Sequence, residues 1–187
     1  MKVKVEIEVK DKNGNVKEKR IFQSRSWVKN WIYMLNACFK AGETTVKDVN
    51  GDDVTYKGVG EVFNVDAGSG DDSKGILVGL SDTAWNKDQY CLQDKITHGS
   101  GSNQLLYGEQ TISDAVDDPV EPYFRISRTF TNESGASITI KELGVVVKNS
   151  YNSTEILILI LRDVLSSPVT VSDGYAVTVR YTFFIYY

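Results

Sequence analysis

The sequence predicts a mainly β fold, a jelly-roll-like β-sandwich with one amphipathic α-helix near the N-terminus. Three observations carry that prediction. Apolar and charged residues alternate from the first residues onward. Short β-like runs separated by turn residues recur across the C-terminal half. Only one stretch, residues 26–40, repeats its apolar residues at helical spacing.

Residues 2–10 place Val3, Val5, Ile7 and Val9 on one face and Lys2, Lys4, Glu6, Glu8 and Lys10 on the other. A period of two marks a half-buried strand. Asn13-Gly14-Asn15 is a turn signal, and Val16 to Gln23 returns as the second arm of a hairpin. Ser24 and Ser26 are N-cap residue types. They precede Trp27, Trp31, Met34, Leu35 and Cys38, spaced three and four apart, with Val28 and Ile32 widening the stripe. That spacing predicts a helix over about 26–40, ending near Gly42.

Two short runs, 46–49 and 54–56, flank Asn50-Gly51-Asp52-Asp53 and predict a second hairpin. Residues 66–75 are rich in Gly, Asp and Ser and predict a loop, followed by a buried strand over 75–80. Residues 81–103 are polar and poorly patterned, with Trp85 and Tyr90 as apolar anchors. Ordered connections of that length usually have a role. Strands are then expected near 104–113, 123–132, 137–148, 155–162 and 175–187. Asn132-Glu133-Ser134-Gly135 and Ser172-Asp173-Gly174 supply two of the turns between them. Evenly spaced short strands of this kind suggest a sandwich or barrel. The last strand is apolar on both faces and needs cover on both, from the fold or from a neighbouring subunit.

The length of 187 residues suits a single domain. Its hairpin and helix would occupy about 1–42, and its sandwich strands about 45–187. Net charge is −4 and the basic residues are dispersed, which argues against nucleic acid and against an anionic membrane surface as partners. The alternating N-terminus lacks the apolar stretch of a signal peptide. The longest apolar run, Ile156 to Leu161, is too short to span a bilayer. The expectation is a soluble chain made in a cytoplasm. Cys38 and Cys91 have no metal-type spacing and are expected as small buried hydrophobes, although pairing stays open.

Signals for chemistry are sparse. The single histidine, His98, lies in a Gly/Ser loop with no nucleophile elbow in the chain, and is expected on the surface. Asp66, Asp71 and Asp72 frame a glycine-rich loop whose hard oxygens suit calcium, but the spacing is not that of an EF-hand. A solvated acidic loop is the plainer expectation. Residues 68–75 have the flavour of a phosphate loop without its pattern. No carboxylate pair is nominated for glycosidic chemistry. Trp85, Tyr90 and Tyr107 are aromatics that could stack on sugar rings, which makes a carbohydrate-binding or adhesive module the alternative function. The chain thus reads as no enzyme, with no catalytic residues and no cofactor apart from calcium at the acidic loop.

The C-terminal half is more specific. Residues 124–147 read FRISRTFTNESGASITIKELGVVV, a hairpin with an Asn-x-Ser-Gly tip. Residues 159–183 carry Arg162-Asp163, a short Ser-Pro turn, Asp173-Gly174 and a final Thr-Val-x-Tyr-Thr strand. This arrangement resembles small β-rich structural proteins of tailed bacterial and archaeal viruses, and Ser24 to Trp31 after the first hairpin is similar to their opening. The resemblance covers roughly residues 1–40, 68–80 and 95–187. It implies a virion subunit (capsid decoration, tail or fibre type) that acts by self-assembly, with itself and other virion proteins as partners. The assembly contacts would use Tyr181, Phe183, Phe184, Tyr186 and Tyr187 of the terminal strand, and the helix face bearing Trp27 and Trp31.

Overall fold

The structure, a computed structural model, describes residues 2–24, 26–40, 42–119, 121–151 and 154–184. It is mainly β with one helix. In chain order the elements are β1 (Lys2–Lys10), β2 (Val16–Ser24), α1 (Lys29–Lys40), β3 (Glu43–Lys47), β4 (Asp53–Lys57), β5 (Glu61–Asn64), β6 (Gly75–Gly79) and β7 (Thr97–His98). They continue with β8 (Gln104–Tyr107), β9 (Thr111–Ile112), β10 (Tyr123–Thr131), β11 (Ile138–Tyr151), β12 (Thr154–Val171) and β13 (Ala176–Phe184).

One sheet has the order β2-β1-β13-β10-β8-β7, with β9 also pairing β10. A second has the order β12-β11-β5, with β6 also on β11. The β3–β4 hairpin stands apart. The alternation read in residues 2–10 is realised: Val3, Val5, Ile7 and Val9 are buried, opposite Phe183, Tyr181, Val179 and Val177. Across β13 the same inward row continues to Ile126 and Phe130 on β10. The β1–β2 turn closes on Asp11, whose Oδ1 accepts the amides of Asn13 and Asn15, while Gly14 takes the positive φ of 82° the turn needs. Buried side chains of both sheets, Met34 of the helix and Val46 and Tyr56 of the small hairpin belong to one apolar cluster.

Three elements depart from the sequence reading. The helix starts at Lys29 rather than 26, because the edge of β12 captures the preceding residues. Ser26 O accepts from Arg162 N, Trp27 bridges Leu161, and Val28 N donates to Ile160 O. Apolar spacing carries no information about such a long-range backbone partner. The strand expected over 104–113 divides into β8 and β9, since Gly108 and Gln110 turn to Thr129 O and Ala67 O. Finally, β12 runs through the Ser-Pro segment without a turn. Ile140 faces Val169 and Glu142 faces Val164, so Lys141 stands opposite the four residues 165–168, which bulge from the ladder.

Candidate interaction site

The predicted contact residues Trp27 and Trp31 stack on each other with ring centroids 4.5 Å apart. The β12-bound crossover supplies Trp27 and the first turn of α1 supplies Trp31. From this pair an aromatic chain runs to Phe183 on β13, 6.3 Å from Trp27, and to Phe63 on β5, 5.4 Å from Trp31. Phe183 stacks on Phe124 of β10 at 4.8 Å, with the rings within 7° of parallel. With Val65, Ile126, Val145, Val147 and Ile160, all of these but Trp27 line a cavity of about 200 Å³ between the two sheets. Trp31, Phe63 and Val65 are half-buried and Phe124 is 39% exposed. A site lined only by apolar residues can take an apolar group and offers no hydrogen bond to orient a polar one.

Phe124 and Phe63 were not singled out from sequence. The signal that could have found Phe124 is the alternation Phe124-Ile126-Arg128-Phe130, which sets it on the same face as the buried Ile126 and Phe130. Phe63 had no such signal, because β5 is short and pairs with β11 across a shifted register.

The other terminal-strand candidates separate. Tyr181 is fully buried and donates its hydroxyl to Asp163 Oδ2 at 3.2 Å, while Ser24 Oγ donates to Asp163 Oδ1 at 2.9 Å. It therefore offers no contact surface. Burial raises the Asp163 carboxyl above its ordinary pKa, against the pull of hydrogen bonds from Ser24, Ser26 and Tyr181. Burial, and then the Asp163 charge, push the Tyr181 phenol well up. Phe184 points to the opposite face of the sheet. There it lines a basin of about 490 Å³ with Lys4, Asp118, Glu121, Tyr123, Arg125 and Thr182. Tyr186 and Tyr187 lie outside the described residues.

Buried charge does architectural work. Arg128 is 1% exposed and donates to five carbonyls: Gly108, Lys74, Ile76, Gly68 and Asp71. Its guanidinium lies 4.8 Å from the Tyr107 ring centre. Burial lowers its pKa, opposed by Tyr107, Asp71 and Asp72. This cation organises the 66–75 loop from inside. Two of the three carboxylates considered for calcium, Asp71 and Asp72, accept hydrogen bonds from the chain itself. Asp71 accepts from Ser73, and Asp72 accepts from His98 N at 2.7 Å and Lys95 Nζ at 3.1 Å. The amide of Asp66 turns to Asn64 Oδ1. Among the described residues no three acidic, histidine or cysteine side chains gather into one group.

A second pair explains the unpatterned 81–103 connection. Arg162 Nε donates to Glu142 Oε2 at 2.7 Å, with both side chains fully buried. Glu142 also accepts the amides of Gln93 and Asp94, and Arg162 reaches Gln89 Oε1 and Thr83 O. The connection is strapped onto β11 and β12 by this buried pair, with Lys141 of β11 also reaching Asp82 at 2.9 Å. His98, on that connection, accepts Tyr107 N at its Nδ1, 3.1 Å away. Tyr107 is 1% exposed and donates to Ile96 O, so it presents no ring to solvent. Trp85 is 42% exposed but its Nε1 donates to Ser26 O, and Tyr90 lies against Gly51 of the hairpin turn. The three aromatics considered for sugar stacking thus form no common platform. Cys38 and Cys91 are free, half-buried thiols, and Cys38 Sγ lies 3.2 Å from the Tyr56 hydroxyl.

Comparison with known proteins found no matching family model, no matching curated protein and no matching solved structure.

Proposed function

We propose that the chain is a non-enzymatic virion structural subunit, of capsid-decoration, tail or fibre type, that acts by self-assembly, with its sheets forming a jelly-roll-like β-sandwich. One observation carries this reading: the buried ionisable groups hold the architecture together, while aromatic surface is left open. Glu8, Arg128, Glu142, Arg162 and Asp163 each bind strands or loops of the chain itself. Reactive groups in active sites instead face a space where a substrate can sit. The half-exposed rings around the inter-sheet cavity have the character of interface anchors. The two turns behind the viral resemblance are also bound to each other. Gly174 N donates to Asn132 O and Gly135 N to Asp173 Oδ1. Those residues thus hold each other within the fold, which supports a structural role for the motif.

The test is native mass by light scattering. A stable homo-oligomer or a growing assembly supports the reading, and a 20.9 kDa monomer at all concentrations sinks it. The virion location is tested by mass spectrometry of particles released from the producing cells.

A carbohydrate-binding role is the second reading. The basin on the outer face favours it, since it combines the rings of Tyr123 and Phe184 with four charged side chains. A glycan array on the monomeric protein decides that question.

A further inference from the structure

Among the described residues the larger sheet has two exposed edges of opposite charge, β2 at one end of its strand order and β9, beside β8, along β10 toward the other. On one side β2 pairs with β1 alone among the described residues. It carries Lys17, Lys19 and Arg20 against the single acid Glu18. On the other side, β9 and the residues after it run along β10: Ser113 N donates to Arg125 O, and Val116 and Tyr123 exchange two backbone bonds. That edge carries Asp114, Asp117 and Asp118 and no basic residue over 111–118. Exposed aliphatics accompany both edges: Val16 at 51% and Ile21 at 56% on β2, Ile112 at 49% and Val116 at 40% opposite.

We infer that the β2 edge of one copy pairs with the acidic 111–118 edge of the next copy, joining subunits head to tail through a continuous sheet. This rests on the self-assembly reading and names the contact. Three arguments select that occupant. Unpaired strand edges are templates for another strand. Two β2 edges facing each other would bring lysines together, and two acidic edges would bring aspartates together, so like edges repel. Opposite edges attract and bury their aliphatics.

The strand directions are consistent with this. β1 and β10 both run antiparallel to β13, β2 runs antiparallel to β1, and β9 antiparallel to β10. β2 and β9 therefore point the same way. A repeat of the sheet sets β9 of one copy beside β2 of the next as a parallel pair, a regular ladder geometry. Such a contact uses different surfaces on the two partners, so it generates rings or filaments rather than closed dimers.

The test uses two variants of the full chain. In one, Lys17→Glu and Lys19→Glu make the β2 edge acidic. In the other, Asp114→Lys and Asp117→Lys make the opposite edge basic. Lys17 and Lys19 are each 48% exposed, in ion pairs with Asp11 and Glu6, so the reversal leaves the core untouched. Arg20 is left alone, because it binds Ser167 O and Pro168 O across the gap to β12. Each variant alone is expected to fall to the protomer mass of 20.9 kDa by sedimentation velocity. Their equimolar mixture, with both kinds of edge matched again, is expected to regain the wild-type mass. Recovery in the mixture also shows that both variants fold. Wild-type assembly that persists in either variant overturns the edge contact and leaves the self-assembly reading standing. Monomeric variants whose mixture stays monomeric also overturn it. A monomeric wild type overturns both.

Discussion

Glu142 and Arg162 meet at 2.7 Å with neither side chain exposed, and between them they hold residues 83, 89, 93 and 94 against the second sheet. An ion pair in such a place draws its strength from full hydrogen bonding of both partners. The backbone approaches so closely here that a Cβ on Gly79 would lie 2.5 Å from Glu142 Oε1 and 2.7 Å from Asp94 O. Glu142→Ala strands the guanidinium and is expected to cost about 3–5 kcal/mol of unfolding free energy. Replacing both residues with apolar ones of similar volume is expected to cost less than either single change. Urea titration of the three variants measures the difference. Amide exchange at Gln93 and Asp94 should accelerate in Glu142→Ala before the core strands open.

Arg128 fills a space bounded by five carbonyl oxygens. Lysine has three donors and a single point of charge, so Arg128→Lys leaves carbonyls without partners. We expect a loss of about 2–3 kcal/mol and faster proteolysis within residues 66–75. Unchanged cleavage there would show that the loop is held by its own turns.

The Asp163 carboxyl has a raised pKa because it is buried. The folded chain therefore binds this proton more readily than the unfolded chain does. The stabilisation from this group is complete below the ordinary aspartate value of 3.8 and declines as pH rises through the folded value. Asp163→Asn retains hydrogen-bonding atoms for Ser24 and Tyr181 and cannot ionise. Its stability relative to wild type is expected to increase from acid toward neutral pH. Parallel stability–pH curves for the two proteins would remove Asp163 from the account.

Asn132 has no exposed surface. Its Nδ2 donates to Ala136 O and Val171 O, and its Oδ1 accepts from Ser134. Asn132→Ala unlocks the two turns it joins and takes its donor from Val171 O, while Ala136 O keeps Ser134 Oγ. A loss of about 2–3 kcal/mol is expected, read as a lower midpoint in denaturant. Asn132→Asp keeps the acceptor and loses the donors, so it separates the two contributions.

Local signals proved reliable where the pattern was local. Residues 2–10, the Asn13-Gly14 turn and the Asn50-Gly51 turn stand where alternation and turn chemistry put them, while the first arm of the second hairpin lies at Glu43–Lys47 rather than 46–49. The start of α1 was lost to a strand edge some 130 residues away in sequence, through Ser26, Trp27 and Val28 against 160–162. The aromatic cavity was half legible. Trp31 and Phe183 stood out by type, as did Trp27 stacked behind Trp31, but register brings Phe124 beside Phe183. Arg162 stood out only as part of the Arg162-Asp163 step, and its pairing with Glu142 gave no signal, because two charges in apolar runs look like the solvent face of a strand until both sides of the sheet are covered.

The five carbonyls around Arg128 make the arrangement that loops commonly build for a dissolved cation, and here the cation is covalently part of the chain. A guanidinium stays protonated across the whole usable pH range and does not dissociate on dilution. Three of those carbonyls, of Gly68, Asp71 and Lys74, belong to the 66–75 loop, so the charge that gathers them there cannot leave the chain.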